Sequence, residues 1–268
     1  MGDKSKHHFR IWPAACLVSI IAILAGYLLL VLSNAVYLGV SDSLYFFRHP
    51  RLWNRLFLTA WTATAATACS LCIGIPAGYA LSRFRLPCSA WMATVMDLPV
   101  LVPPAAVGAF LFGFTHTFPV RDILDLFGIS ISRTATGVVF AQFVVTVAFC
   151  ARLMKTAFDR INPRFEFVSR SLGASRQRTF FHVTLPLARR GIIASLIVVW
   201  ARAAAEWEAL MLFVGGTEGK TDTLAFAVYL DWNGGMMGWV VSLSLLCIFM
   251  AIGTMGAVRI IGRKSYVW

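Results

Sequence analysis

A chain of 268 residues that is 59% hydrophobic and only 13% charged is not an ordinary soluble domain, in which about a quarter of the residues are charged. Its long apolar runs place it among polytopic membrane proteins. The net charge of +12 matters through its distribution along the chain, which follows the membrane rather than any nucleic-acid motif.

The basic N-terminus "MGDKSKHHFRIWP" precedes an apolar run that continues to about Leu32, too long for the core of a cleaved signal peptide. Position 6 is Lys6, where a myristoylation signal needs Ser or Thr. Crossing about 30 Å of hydrocarbon takes about 20 apolar helical residues. Six segments qualify, at 13–33, 56–81, 91–113, 136–157, 191–214 and 237–260. The expected fold is therefore all-α, a polytopic membrane protein with six transmembrane helices.

The second span carries Thr59, Thr62, Thr64, Thr67 and Ser70, small residues that allow helices to approach closely or, alternatively, line a polar path. It also holds Cys69 and Cys72, a C-x-x-C read here as two small apolar residues, because no second pair or nearby His completes a zinc site. The third span is interrupted by "LPVLVPP", with Pro99, Pro103 and Pro104. Proline removes a backbone donor and bends a helix. Within a membrane, such a break is tolerated beside protein or a wet cavity and can offer free N–H groups to an anion. Asp97 adjoins the break, either at the inner interface or in gating.

Residues 158–190 are "FDRINPRFEFVSRSLGASRQRTFFHVTLPLARR". Asn162-Pro163 is a helix start, and Phe165, Val168 and Leu172 share one apolar face. Gly173 is a natural stop. Ser175 caps a second short helix, which Pro186 is expected to end. The bland reading of this basic segment is a connector lying on anionic lipid; the alternative is a docking surface for a partner.

Charged residues inside a membrane are functional candidates. On span five, Arg202 and Glu206 are four apart, which brings them together on one side of a helix, as a structural pair or as a gate latch. Glu208 points elsewhere. The following "VGGTEGKTDT" (214–223) resembles a phosphate loop, but G-x-x-x-x-G-K-[ST] would need glycine at Val214. The loop is one residue short. Trp53, Trp61, Trp91, Trp232 and Trp239 fall mostly near span ends, as interfacial anchors do.

Lys and Arg set the orientation. With both termini cytoplasmic, inner segments hold 17 of the 24 cations and outer segments six, with Arg202 inside a span. Arg48, Arg51 and Arg55 in the first outer loop run against this bias. Residues 214–223 then lie outside, away from ATP.

One stretch resembles a known family. "SRSLGASRQRTFFHVTLPLARRGI" is similar to the cytoplasmic loop of ABC-importer permeases, E-A-A-x-x-x-G followed by I-x-L-P. Gly173 fits the glycine, and Val183-Thr184-Leu185-Pro186 fits I-x-L-P in register. The E-A-A positions depart: they are Phe167-Val168-Ser169, with Glu166 one residue early. "LPVLVPPAAVGAFLF" (98–112), "ARAAAEWEALMLFVGG" (201–216) and "GKTDTLAFAVY" (219–229) look most like molybdate-type permeases. Glu208 departs from their usual Gly-Glu-Phe-Gly.

The resemblance implies a type I permease domain over 55–260. A cytoplasmic tail (1–12) and a first helix with its outer loop (13–54) precede it, and a second tail (261–268) follows. It also implies a homodimer, two copies of a separate ABC ATPase, an extracytoplasmic binding protein, and a multi-pass place in a prokaryotic inner membrane in contact with lipid. The ATPase would dock on loop 158–190, with Glu166, Ser169, Leu172, Gly173, Ala174, Ser175, Arg176, Leu185 and Pro186 as the docking residues. Pro99, Pro103, Pro104, Arg202 and Glu206 are the candidates for the gate or path. The chain itself would hold no cofactor and perform no catalysis. The cargo would be a tetrahedral oxyanion (molybdate, tungstate or sulfate) moved by alternating access. The alternative is a secondary anion transporter driven by an ion gradient.

Overall fold

The computed structural model describes the backbone of residues 4–84, 94, 96, 101–126, 128 and 131–263. Its regular elements are all helical. In chain order they are α1 (Lys4–Arg48), α2 (Pro50–Arg83), α3 (Pro104–His116), α4 (Val120–Leu126), α5 (Ala135–Asp159), α6 (Arg164–Ser171), α7 (Arg176–Thr179), a π-helical turn (Phe180–Thr184), α8 (Leu185–Ala204), α9 (Glu208–Phe213), α10 (Leu224–Asn233) and α11 (Met237–Arg263). Among the described residues, five stretches are long and apolar enough to cross a bilayer: Leu17–Asn34, Pro50–Arg83, Ala135–Asp159, Arg176–Ala204 and Met237–Ile261. The segment expected to span at 91–113 lies partly outside the described residues, as do Pro99 and Asp97. Its described part is α3, which begins at Pro104 behind an extended Pro103 (φ −55°, ψ 132°).

Two expectations about the N-terminal third need correction. The first helix does not end near residue 33; it runs to Arg48. The outer loop expected up to residue 54 is reduced to a sharp corner at His49-Pro50. Proline forces the residue before it out of the helical region, and His49 is extended (φ −79°, ψ 127°). Its Nδ1 accepts the Arg51 N–H at 3.2 Å, so the new helix is capped as it starts.

Helices α2 and α5 form the centre of the bundle. Gly74 and Gly78 lie one turn apart on α2, where a side chain would collide with α5. A Cβ on Gly78 would sit 2.5 Å from Met154 Cβ and 2.7 Å from the Lys155 nitrogen; one on Gly74 would sit 2.6 Å from Cys150 Sγ. Small residues bring membrane helices into backbone contact, where dispersion replaces the missing hydrophobic drive. Four hydroxyl-bearing residues of α2, Thr59, Thr62, Thr67 and Ser70, are buried too, and one of them bonds across the same interface: Ser70 shares a 3.0 Å hydrogen bond with Thr146 on α5. Cys69 and Cys72 lie exposed on α2.

Apolar clusters fill both ends of the bundle. Cys150, Met154, Phe158, Ala188 and Val199 pack at one end, with Leu71, Ile75 and Tyr79 of α2 against them. At the other end, Leu111, Val138, Leu210, Phe213 and Phe226 join α3, α5, α9 and α10. Beside them, Phe46, Leu52, Leu224 and Leu243 tie α1 and α2 to α10 and α11.

The fifth span also differs from expectation. Instead of one helix over 191–214, α8 stops at Ala204 and α9 restarts at Glu208. At its other end, Pro186 does not terminate the short helix capped by Ser175. The chain runs helically from Arg176 through the π turn into α8, and Leu185 donates its N–H to Phe180 O, five residues back. Proline is tolerated in a helix's first turn, where its missing N–H costs little. The wider π turn precedes that position.

Candidate functional site

Loop 158–190 begins where α5 ends at Asp159. Asn162 Oδ1 accepts the Arg164 N–H at 3.0 Å and opens α6. The helix stops at Gly173, whose φ of +87° suits a residue without a Cβ. Ser175 then accepts the Arg178 N–H at 3.2 Å and caps α7. This helix–glycine–helix corner is as the sequence suggested. Leu172, Gly173, Ser175 and Arg176 are exposed, Ala174 is half-buried, and Leu172 keeps 84% of its surface free. An apolar side chain so uncovered on a rigid corner is suited to entering a partner's cleft.

The remaining residues of the expected docking set are mostly half-buried. Ser169 shares a 3.2 Å hydrogen bond with Thr179, joining α6 to α7. Leu185 is half-buried and Pro186 exposed at the start of α8. The Glu166 carboxylate is engaged within the chain. Arg83 Nε donates to Glu166 Oε1 at 2.7 Å, and Tyr79 Oη donates to Glu166 Oε2 at 3.2 Å. Arg83 Nη2 also donates to Phe158 O and Ile161 O, at 3.1 and 2.9 Å. One arginine thus holds the exit of α5 and the first turn of α6 to the end of α2.

The second locus is the break in the fifth span. Arg202 Nη1 donates to Glu206 Oε2 at 2.6 Å, the i,i+4 pairing expected. The other carboxylate oxygen, Oε1, accepts the Ala209 N–H at 2.9 Å. Glu206, 1% exposed, therefore closes α8 and caps α9. Gly108 of α3 packs on this break: a Cβ there would come within 2.5 Å of Ala209 O. The Pro103-Pro104 turn, which starts α3, is thereby carried by the same contact. The break, α3 and the Arg202–Glu206 pair form one local unit.

The sequence matches the family described as "Binding-protein-dependent transport system inner membrane component" over residues 70–264. The chain belongs to this family. It is the permease subunit of a binding-protein-dependent ABC importer, a non-catalytic component of the inner membrane. The molybdenum transport system permease protein ModB of Escherichia coli K12 is 31% identical over 208 residues, 75% of this chain and 91% of that protein. A probable molybdenum ABC transporter permease of Haloferax volcanii is 29% identical over 254 residues, 91% of this chain and 90% of that one. Among solved structures, a bacterial alginate ABC transporter in complex with its pentasaccharide-bound periplasmic protein aligns over 98% of this chain and 96% of that chain, with a TM-score of 0.63 and 16% identity. That likeness is one of fold.

At the end of the bundle where α2 begins, the permease has a charged cluster that sequence reasoning missed. Arg55 of α2, 1% exposed, donates from Nε to Asp222 Oδ2 at 3.0 Å. Its Nη1 and Nη2 donate to Asp231 Oδ2 and Oδ1, at 2.7 and 3.0 Å. Arg51 also reaches Asp231, at 3.1 Å, and the exposed Glu218, at 2.8 Å. Both arginines approach the ring of Trp239, at 5.6 and 5.8 Å from its centroid. The signal available was the run of Arg48, Arg51 and Arg55 against the charge bias, which marks arginines held for another reason. The permease's loop 214–223 is part of this cluster. Gly219 N–H donates to Asp222 Oδ1 at 2.8 Å, and Thr217 N–H donates to the Thr221 hydroxyl at 2.8 Å. The loop's amides are engaged by its own side chains, so its likeness to a phosphate cradle goes no further than composition.

Proposed function

We propose that this permease carries a tetrahedral oxyanion of the molybdate–tungstate–sulfate group. Its work comes from a separate ABC ATPase docked on the 172–178 corner, and its cargo comes from an extracytoplasmic binding protein. The observation that carries the reading is its similarity to molybdenum permeases, 31% and 29% identical over 75% and 91% of its length, together with a molybdate/tungstate permease of Methanocaldococcus jannaschii, 29% identical over 154 residues. The functional unit is a homodimer of six-span subunits with both termini in the cytoplasm, the sixth span being the one expected from the sequence at 91–113. ATP closes the paired ATPases and each drags one corner; Arg83 and Glu166 pass the movement to α2 and α5, and the path opens alternately to each side.

The electrostatics around the path support an anion as cargo. Glu206, the buried carboxylate at the helix break, is neutralised by Arg202, so it presents no uncompensated negative charge to an anion. The test is uptake into proteoliposomes holding this chain, the ATPase and the binding protein encoded beside it. Molybdate accumulation that requires ATP and the binding protein supports the reading. Uptake driven by a proton or sodium gradient without ATP supports a secondary transporter instead. ATP-driven uptake of a cation or sugar, but of no oxyanion, refutes the cargo assignment alone.

A further inference from the structure

Beneath the bundle lies a cleft of about 260 Å3 lined by Tyr79, Arg83, Phe84, Glu166, Phe167, Arg170, Arg176 and Thr179, with Pro163 at its edge. Its floor is the Arg83–Glu166–Tyr79 network, whose charges cancel. Its rim is different. Arg170 and Arg176 are exposed, and among the described residues neither is paired with an acid. Among the described residues, the two acids near the cleft are already engaged, Glu166 by Arg83 and Asp159 by Lys155 and Ser82. Arg176 instead lies over the ring of Phe84, at 6.0 Å from its centroid. Phe84 and Phe167, the latter 72% exposed, add apolar surface to the same rim.

We infer that this cleft binds the phosphate headgroup of an anionic phospholipid. The cations recognise phosphate, and placement and the apolar rim favour a lipid over a free anion. The cleft sits at the end of α2 and beside the exit of α5, two stretches long and apolar enough to cross a bilayer. Its cations are uncompensated guanidiniums, which match phosphate oxygens with two parallel donors. The exposed phenylalanines beside them suit glycerol and the first acyl carbons, and contribute nothing to a hydrated inorganic ion. A lipid held there would lie against α6 and α7 and brace the docking corner from the membrane side, so the lipid composition would set how firmly the corner is presented to the motor.

The test uses the purified full-length chain in neutral detergent, titrated with dioleoyl-phosphatidylglycerol and followed by native mass spectrometry and by melting temperature. Phosphatidylcholine and inorganic phosphate at equal phosphorus serve as comparison ligands. The variants are Arg170→Gln/Arg176→Gln and, as a charge-matched control, Arg164→Gln/Arg189→Gln, two arginines that do not line the cleft. Two juxtamembrane cations together are worth about thirty-fold in anionic-lipid affinity. The expected result is a loss of that order for phosphatidylglycerol in the first variant, within about twofold of the wild type in the control, and no stabilisation by phosphatidylcholine or inorganic phosphate. Equal losses in both variants would reduce the effect to bulk charge and overturn the site. Competition by inorganic phosphate at millimolar concentration would make it a soluble-anion site. Undiminished lipid binding in the first variant, with weakened binding of the ATPase, would make the cleft a contact for the motor.

Discussion

Replacing Arg55 with leucine removes the buried cation, 1% exposed, from its cluster with Asp222 and Asp231. Three charge-assisted hydrogen bonds disappear, two to Asp231 and one to Asp222. At about 1.5–3 kcal/mol for each bond to a charged group, the gross loss reaches about 9 kcal/mol. The orphaned acids keep part of their solvation: Asp231 retains Arg51 at 3.1 Å, and Asp222 retains the Gly219 N–H at 2.8 Å. The net cost therefore falls in the range for breaking a buried ion pair, about 3–5 kcal/mol. Equilibrium unfolding of the purified chain in mixed micelles measures it. The cost arises mainly from uncompensated carboxylates, so Arg55→Leu combined with Asp222→Asn and Asp231→Asn should recover more than half of the loss. A single variant within about 1 kcal/mol of the wild type, or a triple variant less stable than the single, would refute the reasoning.

Other expectations follow from the same geometry. Gly78→Leu should push α2 off α5, since even a Cβ meets the Lys155 backbone, and should lower stability by about 1–3 kcal/mol or more; Ile75→Leu, in the same helix, should stay within about 1.5 kcal/mol. Gly173→Val places a β-branched residue at φ +87° and should cost about 1–2 kcal/mol, with a loss of ATPase binding larger than the loss of chain stability. Arg202→Ala should reduce oxyanion uptake by at least about tenfold, a larger fall than the fall in complex yield, because it leaves the buried Glu206 carboxylate at the helix break without its cation. Unchanged uptake with normal yield would remove Arg202 from the path.

How much of this was legible in the sequence depended on range. Gly173, Ser175 and the Arg202–Glu206 pair act within one helical turn, and each was readable from spacing alone. The apolar lengths of α5 and α11 matched their structural bounds closely. The break after Ala204 was not readable, because it depends on Glu206 pairing backward with Arg202 and forward with the Ala209 N–H, and a hydropathy window sees only an unbroken apolar run. Pro186 was taken as a stop when it opens α8, since a π turn can precede proline without leaving a signature in composition. The partners of Arg55 lie 167 and 176 residues away, beyond any local pattern, although the run of Arg48, Arg51 and Arg55 against the charge bias marked arginines held for another reason. Glu166 was read as a docking residue from its place beside a motif; its carboxylate is held by Arg83 of α2, a contact between distant segments.

The most direct measurement is site-specific cross-linking at the corner. Leu172→Cys, 84% exposed in the free chain, is paired with single cysteines across the surface of the ATPase encoded beside this permease, with and without ATP. Cross-links confined to one cleft of the ATPase, with yields that change when nucleotide is added, are what the account requires. Efficient molybdate uptake by a complex in which residue 172 reaches no nucleotide-hydrolysing partner would contradict it.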